Sequence, residues 1–356
     1  MNRTLTFTAC LISVCLIGYL LIIGKTLIIP LVIAIFIWHL LNTINEAVRR
    51  IPIVEEKFPE WFTMLVAILI LAFLVRMLID IISNNVNEVI AAAPRYQENL
   101  TRIANVVDAR FHIFKALASV DDFIKGLSVQ GIVVGVYSVF TLITGSAVLI
   151  SLYVGFLFVE QHFFRQKLNV LFPQKEHRFL VDNILGHIVR DTQTYLGIKT
   201  LLSLIVSVLS WIIMKVVGLD FAEFWALLIF FLNFIPNIGA IVATAFPALL
   251  ALIQFQSWWP FIIITSAIVL IEFVVGNLAE PRFLGKSLNL SPLVILFALA
   301  LWGAMWGVLG MFLSVPITVT MMIVLAHFET TRPLAIMLSQ DGQINKAYET
   351  LDLPAH

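Results

Sequence analysis

The sequence predicts an all-α, polytopic membrane protein with about eight transmembrane helices, some of them broken or re-entrant, and extramembrane amphipathic helices between them. Three observations carry that reading. First, 60% of the 356 residues are hydrophobic and only 12% are charged, about half the charge of an ordinary soluble domain. That is too little to cover a soluble surface, so the missing surface faces lipid; the mean hydropathy of +1.00 agrees. Second, uncharged runs of bilayer length recur along the chain. Third, the longest of them, Phe224 to Ile271, holds no Asp, Glu, Lys, Arg or His, yet packs two asparagines, a proline and a glycine between Asn233 and Gly239.

A spanning helix needs about 20 mostly apolar residues. Leu5–Ile23 meets that rule and exceeds the apolar core of a signal peptide. No small-x-small cleavage site follows it, so it is expected to remain as the first helix. Leu27–Leu41, Phe62–Ile79, Gly131–Val159 and Leu196–Val217 follow. Phe224–Ile271 is too long for one crossing and is expected to break at Pro236 and again around Gln254–Pro260. Ser287–Ala326 would reach about 60 Å as a straight helix; Pro316 is the expected place for it to bend or split.

Two polar stretches interrupt the N-terminal half. Val86, Ile90, Ala93, Tyr96, Leu100, Ile103, Val107, Phe111, Phe114 and Leu117 recur every three or four positions, one face of a helix, with a break expected near Pro94. The second stretch, 160–194, carries Phe163, Phe164 and Leu168 beside Arg165, Lys167, Arg178 and Arg190. The organisation is then 1–82 N-terminal transmembrane helices, 83–130 an extramembrane amphipathic segment, 131–159 a transmembrane helix, 160–194 a cytoplasmic helical segment, 195–328 a transport core with broken helices, and 329–356 a cytoplasmic tail. Arg49, Arg50 and Lys57 fall on the same side as Arg165 to Arg190. The excess of basic residues marks that side, and with it both termini, as cytoplasmic.

Several classes of chemistry find no support. The charge balance of 22 basic and 22 acidic residues suggests no nucleic-acid partner. Gly285-Lys286-Ser287 lacks the upstream glycine of a phosphate loop, Glu280 standing in its place. There is no H-E-x-x-H, and His162, His177 and His187 have no metal-like spacing. No G-x-S-x-G is present. Cys10 and Cys15 share one apolar stretch and read as buried free thiols. No catalytic residue, metal or cofactor is expected; what remains is a polytopic protein that could be driven only by ion or substrate gradients.

The candidate site lies at the breaks. A helix break at membrane depth survives only within protein or beside a wet cavity, because unpaired backbone groups are costly in hydrocarbon. Pro236 ends one half-helix, and Asn237 caps a second that begins at about Gly239. Asn233 and Asn237 offer amides where the half-helices converge, the arrangement from which transporters build substrate or ion sites. The alternative is a plain kink whose asparagines satisfy freed backbone groups. A second polar knot runs from Ile271 to Pro292. Glu272, Gly276 and Glu280 share a helix face at four-residue spacing, Pro281 is expected to stop that helix, and Arg282 follows. Either Glu280 and Arg282 form a surface ion pair, or Glu272, Asn277 and Glu280 line a pathway. In the third stretch, Gly303 and Gly307, extended by Gly310, make a small-residue face for close helix packing. Trp302 and Trp306 either line the same groove or sit in an aromatic belt. Lys199, near the start of its span, is expected to snorkel.

"FLNFIPNIGAIVA" from Phe231, "NLAEPRFLGKSLNLSPLVI" from Asn277 and "WGAMWGVLGMFLSVPIT" from Trp302, with "YLGIKT" at Tyr195 opening the region, together resemble the autoinducer-2 exporter family, the PerM-type permeases. The similarity covers mainly residues 192–340; the N-terminal half matches in layout. The resemblance implies a multi-pass protein of the bacterial cytoplasmic (inner) membrane with cytoplasmic termini and a homo-oligomeric state. It also implies export of a furanone-type signal in some members and sodium(lithium)/proton antiport in others. Export suits the amides Asn233, Asn237 and Asn277, which can bind a hydroxyl-rich small molecule. Antiport requires a carboxylate that takes up and releases a proton, for which Glu272, Glu280 and Glu223 are candidates. A non-transporting scaffold would leave the polar breaks without purpose.

Overall fold

The computed structural model describes residues 3–51, 57–111, 138, 141, 144–171, 175–236, 238–284, 289–326, 328 and 330–342. Among them the chain is helical throughout: α1 (Arg3–Ile23), α2 (Lys25–Arg49), α3 (Glu60–Phe111), α4 (Ala147–Leu171), α5 (Lys175–Val217), α6 (Ala222–Leu232), α7 (Ile238–Phe255), α8 (Trp258–Val274), a π-helical turn (Val275–Ala279), α9 (Glu280–Leu284), α10 (Pro292–Trp306), α11 (Val308–Ala326) and α12 (Arg332–Leu338). Seven helical stretches among the described residues are long and apolar enough to cross a membrane: Lys25–Arg49, Glu60–Asn85, Ala147–Phe164, Thr192–Val217, Ile238–Phe255, Trp258–Phe283 and Val308–Ala326. The protein is thus an all-α polytopic membrane protein. Cys15 is a free thiol but exposed, not buried.

Over their described residues the polar stretches are helical, as their periodicity predicts, but they are not separate from the spans; 112–130, with Phe114 and Leu117, lies outside the described residues. α3 runs unbroken for 52 residues through Pro94, and α5 runs for 43 residues from the basic stretch into its span. A proline costs one donor and a local clash; a long helix held elsewhere along its length absorbs that without ending.

The chain divides into two compact units, one of Met1–Ala47, Ser146–Gly197 and Lys286–His356, the other of Val48–Gly145 and Ile198–Gly285. In the second unit, Phe224, Trp225 and Ile229 of α6 pack with Leu250 and Ala251 of α7, Ile264 and Ile268 of α8, and Leu202, Val206 and Met214 of α5. Lipid tails are as apolar as these side chains, so close packing and interhelical hydrogen bonds hold such helices together rather than escape from water. The Ser207 hydroxyl, which donates to Ala226 O at 2.7 Å, is one of those bonds. α6 has 11 residues, about 16 Å of helix, and cannot cross alone.

In the first unit, Trp302 and Trp306 pack with Ile29 and Ala298, and Trp306 Nε1 donates to Leu21 O at 3.1 Å. The predicted interruption of the last apolar run is present, but not at Pro316, which lies inside α11. The chain breaks at Gly307, whose φ of 67° suits a residue without a Cβ. Around Pro316, the hydroxyls of Ser314, Thr318 and Thr320 bond to the carbonyls of Met311, Ser314 and Pro316, the kind of support that lets a proline stay in a membrane helix. α12, placed by the sequence in a tail, is tied back: Ser291 N donates to Leu338 O at 3.0 Å and Gln340 N to Asn289 O at 2.9 Å.

Candidate functional site

The break expected at Pro236 is a tight turn between α6 and α7. Ile235 N donates to Leu232 O at 2.8 Å and Gly239 N to Ile235 O at 3.0 Å, so the turn satisfies much of its own backbone. Asn233, the C-cap of α6, is buried; Pro236 is half-buried. Asn237 lies outside the described residues. A Cβ on Gly239 would stand 1.8 Å from Leu232 O. The two helices therefore meet backbone to backbone, and only glycine fits.

The same device recurs in the first unit. A Cβ on Gly310 would stand 1.9 Å from Trp302 O, and one on Gly303 would meet the Met311 side chain at 2.9 Å. Gly303 and Gly310 thus serve close packing within one helical hairpin. Gly307, expected on their packing face, forms the turn instead and has open space around it.

Downstream of Glu272 the helix does not stop at Pro281. It widens into the π turn Val275–Ala279 and resumes as α9, which contains Pro281 and the exposed Arg282. The wider turn, with Glu280 N bonded to Val275 O, relieves the clash that a proline ring makes with the preceding turn. Gly276 is exposed with open space beside it. Glu280 turns to α5, where Lys199 Nζ donates to its Oε1 at 2.9 Å and its Oε2 at 2.8 Å. Lys199, expected to snorkel, is buried, and its partner is this carboxylate rather than water; Glu280 takes Lys199, not Arg282, as its counter-ion. Glu223, the third carboxylate considered, is paired with Lys215 at 2.6 Å.

Glu272 is different. It lines a groove of about 620 Å³ between α7 and α8, together with Ala240, Thr244, Thr265, Phe273 and Asn277. Its Oε1 and the Thr265 hydroxyl are enclosed without a hydrogen-bond partner among the described residues. Each such atom costs about 1–3 kcal/mol if left unpaired. Thr244 Oγ1 donates to Ala240 O at 2.9 Å, and Asn277 Nδ2 donates to Phe273 O at 3.1 Å, which leaves oxygen acceptors on both. The groove can therefore receive a ligand carrying several hydroxyls, or a cation with oxygen ligands. Among the sequence candidates it unites Glu272 and Asn277. Asn233, Pro236 and Gly239 shape the turn that begins α7, and Glu280 and Arg282 lie outside the lining.

Sequence reasoning missed Thr244, Thr265 and the role of Lys199. Thr265 stands seven residues before Glu272, two turns along the same helix face, and that spacing was the available signal. Lys199 is the one basic residue between Arg190 and Lys215, and a cation inside an apolar helix calls for a named partner.

A family model described as AI-2E family transporter matches residues 11–330. The chain is 28% identical over 322 residues to the "Putative transport protein YhhT" of Escherichia coli, covering 88% of each chain. It is 32% identical over 251 residues to a "Putative transport protein" of Borreliella burgdorferi, covering 69% of this chain and 67% of that one. To the "AI-2 transport protein TqsA" of Escherichia coli it is 26% identical over 321 residues, covering 88% and 89%.

Proposed function

The chain belongs to the AI-2E family of transporters, and from that premise we propose that it exports a small polar molecule of the AI-2 class through the groove between α7 and α8. The observation that carries this reading is the pair of partnerless polar atoms, Thr265 Oγ1 and Glu272 Oε1, at one groove in the middle of an apolar helix pair. Its volume of about 620 Å³ falls within the range of small-molecule sites. Ligand hydroxyls would bond to the open acceptors of Thr244 and Asn277 and, on wedging between α7 and α8, to the enclosed Thr265 and Glu272 atoms, while Asn233 and Pro236 hold the turn that positions α7. The relative TqsA is named an AI-2 transport protein. The protein then works as a multi-pass transporter of the bacterial cytoplasmic membrane, with both termini inside, as a homo-oligomer and without a cofactor.

One observation favours a second reading, sodium(lithium)/proton antiport. Of the carboxylates Glu223, Glu272 and Glu280, only Glu272 has no ion-pair partner among the described residues, and a coupling carboxylate has to be free to exchange a proton for a cation. Everted vesicles separate the two. Uptake of labelled AI-2 without sodium-dependent proton movement supports export; proton movement on sodium addition with no uptake of the signal supports antiport and ends the export reading.

A further inference from the structure

We propose that the exposed face of α3 binds one phospholipid whose headgroup carries a primary amine, seated in a pocket formed by α3 and the start of α6. Leu65, Leu69, Phe73 and Met77 recur every fourth residue and are all exposed, so they form a single stripe along the helix. Twelve residues of rise make the stripe about 18 Å long, close to one leaflet of a hydrocarbon core roughly 30 Å thick. Charge enters beside the end of the stripe, at Arg76. Arg76 and Asp80 continue the same face and open into a pocket of about 360 Å³ with Asn84, Asn85 and Glu223. An apolar track one leaflet deep that leads into a charged pocket has the shape of a lipid: chains below, headgroup above.

The charges select the headgroup. One guanidinium and two carboxylates line the pocket, and the Lys215 ammonium bonded to Glu223 balances the count, so the pocket presents groups of both signs. Arg76 spends only Nε on Asp80, at 3.1 Å, and its remaining N–H groups find no acceptor among the described residues, which leaves them for a phosphate. Asp80, bonded to Arg76, still has lone pairs to accept N–H bonds, as does the Asn84 carbonyl; Glu223 already accepts from Lys215, Trp211 and its own backbone N–H and has one left. A phosphoethanolamine headgroup supplies both halves, a phosphate for Arg76 and an ammonium with three N–H donors for the carboxylates. A choline headgroup has the charge without the donors, and a glycerol headgroup has no cation. The site is independent of the molecule transported.

The full chain, purified in a neutral detergent and stripped of lipid, is incubated with phosphatidylethanolamine, phosphatidylcholine or phosphatidylglycerol of the same acyl chains, and bound lipid is counted by native mass spectrometry. Phosphatidylethanolamine should be retained about tenfold better than the other two, the weight of one charge-assisted bond set. Asp80→Asn should erase that preference, and folding should survive because the exposed Arg76–Asp80 pair adds little stability. Equal retention of the three lipids overturns the proposal, as does a preference that Asp80→Asn leaves intact. Displacement of the lipid by soluble phosphoethanolamine would show that the acyl stripe contributes nothing, and it overturns the lipid assignment. Quantitative crosslinking of Phe73→Cys to a second copy in native membranes would mark the face as a subunit contact, and the proposal falls.

Discussion

Lys199 Nζ reaches both oxygens of Glu280, at 2.9 and 2.8 Å, across 81 residues of chain. The lysine side chain is 6% exposed and the carboxylate 26%. The pair ties α5 to the helix that leaves the groove, just beyond the π turn. Desolvating two charges costs about as much as their attraction returns, but removing one partner strands the other. Lys199→Met is therefore expected to lower stability by about 3–5 kcal/mol. Lys199→Met with Glu280→Leu should recover much of that loss. Thermal unfolding in detergent checks both, and a double variant no better than the single one would show that the pair contributes more than the burial of one charge explains.

The hairpin glycines make a sharper contrast. Gly239→Ala and Gly310→Ala would place a Cβ 1.8 and 1.9 Å from a backbone oxygen, so each hairpin must open. Overpacking of this kind costs about 1–3 kcal/mol or more, and both variants should assemble poorly. Gly276→Ala meets nothing within 4 Å and should be tolerated. The yield of folded protein after extraction compares the three; a well-assembled Gly239→Ala protein would mean that α6 and α7 do not meet at that carbonyl.

Much of this architecture is legible in the residues, and the exceptions have physical causes. Pro236 announces its break because two amides and a glycine surround it in a run too long for one crossing. Pro316 misleads because hydroxyl side chains support the helix around it, while the true break needs a positive φ that only Gly307 among its neighbours adopts. Pro94 and Pro281 mislead for related reasons: one is carried by a long helix, the other by a π turn. The Lys199–Glu280 pair was out of reach because Arg282 lies nearer in the chain, and proximity in sequence says nothing about which helix α9 faces. The groove was half legible. Glu272 and Asn277 stood out as polar groups in apolar surroundings, but Thr265 is too mild a residue to draw notice without its helix partner.

Outside the membrane span, α3 is latched to the turn between α5 and α6. Tyr96 OH donates to Asp220 Oδ2 at 2.7 Å, and Arg95 Nη2 reaches the same oxygen at 2.7 Å. Burial, and after it the bond to Asp220, pushes the Tyr96 phenol up to about 12. The folded state thus holds this proton more tightly than the unfolded chain does. Its contribution to stability is complete below about pH 10 and is lost as pH rises from there to about 12. In a spectroscopic titration, one of the six tyrosines should ionise last, and Tyr96→Phe should remove that step. A titration with no late tyrosine would mean that the latch is open in solution.

Glu272 separates the two transport readings. Glutamine keeps the carboxylate's shape and one oxygen acceptor but cannot titrate. Glu272→Gln should leave signal export largely intact if the residue only holds a ligand hydroxyl, and should abolish sodium-dependent proton flux if it couples ions. Complete cation/proton exchange by this variant would rule Glu272 out as the coupling group.

The central claim is that the transported molecule passes through the groove between α7 and α8, and filling that groove tests it most directly. Ala245 lines the groove and is only partly buried, so an indole there projects into the groove rather than into the packed interior. Uptake of labelled AI-2 is measured in everted vesicles containing equal amounts of assembled wild-type or Ala245→Trp protein. Loss of uptake with assembly preserved is the result the account predicts. Uptake by Ala245→Trp equal to wild type would contradict it.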